Sequence, residues 1–200
     1  MLFRSRERLL AKIKGASVVL VGDFHPFRQS QKGFLRLVEG SISHFSRTAI
    51  ALECFQQAHQ TAINEFLSGL ITAEELRDKI DFDHFWPFSW ENYREILTFA
   101  RRNRLPVLAL NVSGKKGRDS DLSARDAAAA ESISRELAKH PGTVVFALYG
   151  ELHLGREHLP AELRRRLERS AQVVTVHQND TDLYWKAPTL PDGQKPEVLQ

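Results

Sequence analysis

The chain has 200 residues, 42% of them hydrophobic and 26% charged, with a formal net charge of +3. That length favours one domain with a real core, and the balance is ordinary for a globular protein rather than a disordered or fibrous one. So mild a charge does not by itself make a case for a nucleic-acid binder, which usually shows a clustered basic face, and a single cysteine, Cys54, excludes an internal disulfide.

From the N-terminus, residues 1–14 mix Leu with Arg, Lys and Glu, without an apolar core or a small-residue cleavage site. No signal peptide is expected there, and a cytoplasmic setting is favoured. No apolar run reaches the length of a membrane-spanning helix. Residues 17–21, 48–52, 106–110, 143–148 and 172–176 are short, β-branched, near-continuous apolar runs. Such runs suit parallel strands buried on both faces.

Helical stripes lie between them: Phe34, Leu35, Val38, Ile42 and Phe45; Ile63, Phe66, Leu67 and Leu70; Tyr93, Ile96, Leu97 and Ala100; and Ala130, Ile133 and Leu137. Thr72 with Glu75 forms a capping-box pair, Ser123 with Asp126 resembles one, and Pro160 suits a first helical turn. The alternation predicts an α/β fold, a mainly parallel sheet with helices on both faces. Residues 1–186 read as one domain and 187–200 as a polar, Pro-containing tail. Two stretches interrupt the pattern. One is the aromatic segment 82–90, with Phe82, Phe85, Trp86, Phe88 and Trp90 around Pro87; the other is the Gly, Lys and Ser-rich segment 112–121.

Ligands of open parallel sheets bind outside the carboxyl ends of the strands, so the residues after each run matter most. The first run leads into Gly22-Asp23-Phe24-His25 and the fourth into Gly150-Glu151-Leu152-His153. Each reads Gly, acid, apolar, His. The second run ends in Glu53, the third in Asn111 followed by Lys115, Lys116 and Arg118, and the fifth in His177 and Gln178. Glu53 closes an apolar run and is expected to be semi-buried, a costly place for an unpartnered carboxylate.

Three chemistries fit two histidines and two or three carboxylates on one rim. A divalent metal held by His25, His153 and Glu53 would leave a position for water. A metal-free hydrolase would use one His as general base, oriented by a carboxylate. A binding pocket would let His25, His153 or Tyr149 ligate haem iron. In that pocket Trp86 and Trp90 supply apolar contact, while Lys115 and Lys116 meet an anionic group. The aromatic segment serves equally as a satellite core under a loop. His44, His59, His140 and His158 read as helix-surface or helix-end residues, and Cys54, beside Glu53, is no nucleophile.

In order and spacing these pieces resemble the ChaN branch of the haem-binding-uptake/Tiki superfamily, which includes relatives of erythromycin esterase. The matching stretches are Gly22-Asp23-Phe24-His25, Leu52-Glu53-Cys54-Phe55, Gln60, Trp90 to Tyr93, Ala100-Arg101, Leu108-Ala109-Leu110-Asn111, Ser123-Ala124-Arg125-Asp126 and Gly150-Glu151-Leu152-His153. The resemblance implies an α/β fold with a rim pocket built from Asp23, His25, Glu53, Arg125 and His153; Glu151, after the fourth run, is a further candidate acid from its place alone. Some branches are hydrolases, and the ChaN branch is associated with haem binding and iron uptake. Asp23 stands where the family usually has Glu, and no lipobox cysteine is seen near Met1. The expected ligand is a small molecule, haem-like or an ester substrate, with a non-catalytic interaction domain as a third reading and a homodimer left open.

Overall fold

The structure, a computed structural model, describes residues 6–112 and 120–178. Its strands are β1 (Val18–Asp23), β2 (Arg47–Gln56), β3 (Val107–Asn111), β4 (Thr143–Gly150) and β5 (Val173–Val176). They form one sheet in the order β3-β2-β4-β1-β5, with every neighbouring pair parallel. The apolar runs are the strands, and the fold is the α/β class that their alternation with helices predicts.

On the first face lie α1 (Arg6–Ile13), α2 (Arg28–Glu39), α3 (Gln60–Ser68), α4 (Ala73–Lys79), α5 (Phe82–Phe85) and α6 (Trp90–Arg102). On the second lie α7 (Ser120–Lys139) and α8 (Leu159–Arg166). Successive strand side chains alternate between the faces. Val19, Val21, Ile50, Leu52, Phe146 and Leu148 therefore join Phe34, Ile63 and Ile96 in one core, while Val18, Leu20, Ala49, Ala51, Val145 and Ala147 join Ala129, Ile133 and Leu163 in the other. β4, central in the sheet, is buried along its whole length, which is why its sequence has no polar alternation.

Local signals explain most element ends. Thr72 and Glu75 make the expected reciprocal capping box at α4, with bonds of 3.1 and 2.7 Å. Gly69, at φ +85°, ends α3 in a left-handed cap, so the helical stripe stops before Leu70, which is 76% exposed. Ser123 and Asp126 do not cap a helix: α7 already begins at Ser120, and Asp126 lies in its interior, buried. Between Leu52 and Gln56 the β2–β3 register shifts, and Glu53 falls in that irregular stretch. Bulges of this kind re-aim side chains near the ends of sheets. Gln60 fastens the region from α3 by donating to the Val107 carbonyl at 2.8 Å and accepting from the Ala109 amide at 2.9 Å.

Three buried acids also shape the fold's pH response. Burial and then the Asp23 charge push up the Cys54 thiol and the Tyr93 phenol, and burial and then the Glu53 charge push up Tyr149. In the unfolded chain the same groups ionise near their ordinary values of 9.0 and 10.0. The unfolded state then binds fewer protons than the native one, so stability is full below about pH 9 and falls as pH rises. Tyr149→Phe should flatten the alkaline slope of a urea midpoint-versus-pH curve, and an unchanged slope would contradict this account. In the native protein at pH 8 Cys54 should resist a thiol-specific disulfide reagent and react once urea unfolds the chain.

Candidate functional site

The residues that end β1, β2 and β4 meet above the carboxyl end of β4. Asp23, the last residue of β1, shares the face of Val19 and Val21, on the side of α2 and α6. Its Oδ2 accepts a 3.0 Å bond from the Tyr93 hydroxyl and lies 2.8 Å from Nδ1 of His25. Its Oδ1 accepts from the Gln31 amide. The shorter acid is thus fully used as an anchor, held by one residue each from α2 and α6.

Glu53 lies on the other side, toward α7. Its Oε2 accepts the Gly150 amide at 2.5 Å, and its Oε1 is paired with the Arg125 guanidinium. Arg125 is fixed in turn by Nε donating to Asn111 Oδ1 at 3.2 Å, so the end of β3 also contributes. Gln57 donates to the Ala128 carbonyl and Ser132 Oγ at 3.2 and 3.0 Å, which ties α7 to the end of β2 and sets Arg125 and Asp126 over the rim.

His153 sits in a short 3-10 turn, Glu151–Leu154, just after β4. Its Nδ1 is 2.6 Å from Asp126 Oδ1, and its ring stands edge-on to Tyr149, with centroids 4.7 Å apart. Two Asp–His pairs therefore approach from opposite faces of the sheet. Their remaining nitrogens point at one carboxylate: His25 Nε2 lies 3.8 Å from Glu53 Oε2, and His153 Nε2 lies 3.6 Å from Glu53 Oε1. Both separations are too long for a direct hydrogen bond. His25 and Arg125 are partly exposed, with about a fifth of each side chain open, whereas Glu53, Asp126 and His153 are buried.

The glycines of the two motifs make room for each other's partners. A Cβ on Gly150 would lie 3.0 Å from Glu53 Oε2 and 3.2 Å from His25 Nε2. One on Gly22 would overlap Glu151 Oε2, at 1.6 Å. The strand register sets this interlock, since Gly22 pairs with Tyr149 and Asp23 with Gly150. Gly22→Ala should evict the quarter-exposed Glu151 from its bond to His177 at a cost of about 1 kcal/mol or less. Gly150→Ala should wedge apart the buried Glu53 and His25, and so reduce any turnover far more than Gly22→Ala does. Equal effects of the two on ligand binding or rate would contradict this reading.

Several sequence expectations change here. Asp23, His25, Glu53, Arg125 and His153 come together, and Asn111 joins them. Glu53 does not orient His25; Asp23 does. Glu151 turns away to His177, beside Gly22. Among the described residues no group of three His, Cys, Asp or Glu is arranged to hold a metal ion, so the expected His25, Glu53 and His153 metal set is not supported. Both Glu53 oxygens are already taken, one of them by a cation. Tyr149 is wholly buried, and Trp90 lies in the core with its ring 4.9 Å from Phe82, so neither is presented to a ligand. Trp86 is also mostly buried, but it and Phe88 wall His25, with centroid distances of 4.7 and 5.0 Å. Lys115, Lys116 and Arg118 lie outside the described residues.

The sequence reading missed Asp126, whose likeness to a capping residue hid its role, as well as Gln31 and Tyr93. His158 is a helix-end residue, as expected, just before α8, but its Nδ1 also lies 3.0 Å from Asp126 Oδ2, so two imidazoles share that carboxylate. Asp126 adjoins Arg125 within α7, and that adjacency is the one signal that could have drawn attention to it.

Comparison with known proteins agrees with this architecture. No curated protein matches the sequence. Among solved structures, ChaN of Campylobacter jejuni, described with cofacial haem, superposes with a TM-score of 0.65 at 15% identity, over 86% of this chain and 85% of that one. The type III effector HopBA1 gives 0.61 at 15% identity over 86% and 92%. RRSP, a MARTX toxin effector domain from Vibrio vulnificus, gives 0.58 at 21% identity, over 88% of this chain but 38% of that one. These likenesses establish the shared fold. Residues 9–119, more than half of the chain, match the family described as haem-binding uptake, Tiki superfamily, ChaN, and the protein belongs to that family.

Proposed function

We propose that the protein is a hydrolase of a carboxylic ester or amide, working by general acid–base catalysis. The observation that carries this is the convergence of two Asp-anchored imidazoles on one buried carboxylate, at 3.8 and 3.6 Å. A water oxygen about 2.8 Å from both His25 Nε2 and Glu53 Oε2 would stand about 2 Å to the side of the 3.8 Å line joining them, placed to be deprotonated. His25, anchored by Asp23 and reachable from solvent, takes that proton. Arg125, also reachable, faces the negative charge that develops on the carbonyl oxygen. His153, held by Asp126, enters as an imidazolium and gives its own proton to the leaving group, and once the product departs the proton taken by His25 is passed back to His153 through water. Glu53 holds Arg125 and stabilises positive charge on either ring. Trp86 and Phe88 wall His25 and keep bulk water from its flank.

The test is an ester and amide substrate panel on the purified protein, with His25→Ala and His153→Ala as controls. Turnover that both variants lose supports the reading; turnover that survives both, or none on any substrate, counts against it.

Family membership favours a second reading, haem handling. The cluster as it stands does not fit an iron ligand set: both outward imidazole nitrogens face Glu53, and Tyr149 is buried. Haem would therefore be held elsewhere on the protein. Hemin titration decides this: a Soret shift unchanged in His25→Ala supports binding away from the cluster, and no shift removes the reading.

A further inference from the structure

We propose that Gln178 is a positioning residue for the first Gly-acid-x-His motif. From beyond the edge strand β5 it fixes the backbone on both sides of Asp23 and, through Asp23, the ring of His25. This deepens the acid–base reading above and rests on it for its functional meaning.

β5 is half-buried along its length, whereas β1 and β4 are fully buried. The two polar residues that follow it diverge. His177 goes to Glu151 of the second motif. Gln178 turns to the first, where its Nε2 lies 2.7 Å from the Gly22 carbonyl, 2.9 Å from the Ser30 carbonyl and 2.9 Å from Ser30 Oγ. An amide NH2 has two hydrogens, so it serves two of these three acceptors at a time.

Ser30, wholly buried on α2, completes the arrangement. Its Oγ accepts the Phe24 amide at 3.0 Å and donates to the Gly22 carbonyl at 3.3 Å. The carbonyl before Asp23 and the amide after it are therefore both held, and with them the planar peptide units on either side of that residue. Asp23 in turn lies 2.8 Å from His25 Nδ1. A side chain from the edge of the sheet thus sets the direction of the ring that faces Glu53.

α2 makes room for this contact at Gly33. A Cβ there would stand 2.5 Å from Gln178 Oε1 and would meet no side chain but that of Gln178 among the described residues. Glycine inside a helix weakens it relative to alanine, so α2 gives up local stability at the position where one more carbon would push Gln178 away. The two contacts made by the residues after β5 also differ in strength. The Glu151 and His177 side chains are 25% and 49% exposed, and water screens their pairing. The Gln178 amide reaches a buried hydroxyl, where a lost hydrogen bond costs more.

The experiment uses the full chain without substrate, as wild type and as Gly33→Ala, Gln178→Leu and His177→Ala. NMR reads amide hydrogen exchange at Phe24 and the nuclear Overhauser contact between the His25 and Trp86 rings, whose centroids lie 4.7 Å apart. Urea midpoints are measured beside them. Gly33→Ala should push the Gln178 amide off its acceptors while favouring the helix. Exchange at Phe24 should then rise about tenfold and the ring contact weaken, with no loss in the midpoint. A merely structural role would instead lower the midpoint and leave the ring contact alone. Gln178→Leu should match Gly33→Ala in exchange and in ring contact. His177→Ala leaves Gln178 in place and should change the exchange by less than about twofold.

Unchanged exchange and ring contact in Gly33→Ala overturn the proposal. So does His177→Ala matching Gln178→Leu, because the whole end of β5 would then have loosened. If Gln178→Leu fails to fold, Gly33→Ala decides alone. None of these readouts needs a substrate, so they fail separately from the hydrolase reading. With a substrate in hand, Gly33→Ala should lower kcat about tenfold and leave KM within about twofold, and a kcat equal to that of wild type overturns the positioning role.

Discussion

Replacing Glu53 with Ala should lower the stability of the protein by about 3 kcal/mol and abolish the hydrolysis proposed above. The side chain is 3% exposed and serves several groups at once. Its removal leaves the Gly150 amide without its acceptor, Arg125 without its counter-charge, and two imidazoles facing an empty space. A cation left unpaired in a buried site is the expensive case, with measured costs of about 3–5 kcal/mol. Arg125 is about one-fifth exposed and can partly turn to water, which places the expected loss at the lower end. Glu53→Gln is not a mild alternative. Both of its partners, the Gly150 amide and the Arg125 guanidinium, are donors, so one side of the new amide must present its NH2 to a donor. That arrangement should cost about 1–3 kcal/mol. Urea midpoints at constant slope measure both variants. A Glu53→Ala midpoint equal to wild type would mean that the carboxylate is not the centre of the cluster.

The contrast between Glu53 and Asp126 shows what a sequence exposes and what it hides. Strands were legible because β1, β2 and β4 are buried on both faces and carry unbroken apolar runs. A polar residue ending such a run stands out, so Asp23, His25, Glu53 and His153 could be picked from their places alone. Arg125 and Asp126 lie on α7, where polar residues are common on a helix and periodicity gives no cue to which one turns inward. They reach the site only because α7 crosses the end of the sheet, pinned there by Gln57. Arg125 entered through the family resemblance rather than through spacing. Asp126 was misread because an acid three residues after a Ser near an expected helix start has the same local signature as a cap. The Trp and Tyr expectations failed for a related reason. An aromatic-rich segment looks the same whether it walls a ligand or fills a core, and here Trp90 and Tyr149 fill cores while Trp86 and Phe88 flank His25. The two Gly-acid-x-His motifs were visible as a pair, but their interlock depends on strand register, which places Gly22 beside Tyr149 and Asp23 beside Gly150.

Asp126→Asn should cut turnover by about 10²-fold while costing the fold only about 1 kcal/mol. The expected effect is smaller than the ~10⁴-fold loss seen when the buried aspartate of a serine-protease triad becomes asparagine, and the shared carboxylate is the reason. In that triad the amide NH2 forces the catalytic imidazole into the wrong tautomer. Here the new amide has two imidazoles to serve, one buried and one 40% exposed. It can keep its oxygen toward His153 Nδ1 and turn its NH2 to His158 Nδ1. His158 accepts by moving its own proton to Nε2, where water satisfies it. The tautomer of His153 is thereby preserved, and what remains lost is the negative charge that stabilises its imidazolium. Adding His158→Lys removes the escape, because an ammonium has no lone pair to accept from the amide. The amide oxygen then turns to position 158 and its NH2 to His153. The double variant should fall below Asp126→Asn by a further order of magnitude or more, while His158→Lys alone, facing the intact carboxylate, should fold and lose less turnover than Asp126→Asn does. Rates of the two single variants and the double variant, read beside their melting temperatures, decide this. A double variant no slower than Asp126→Asn would show that His158 does not hold the tautomer of the site.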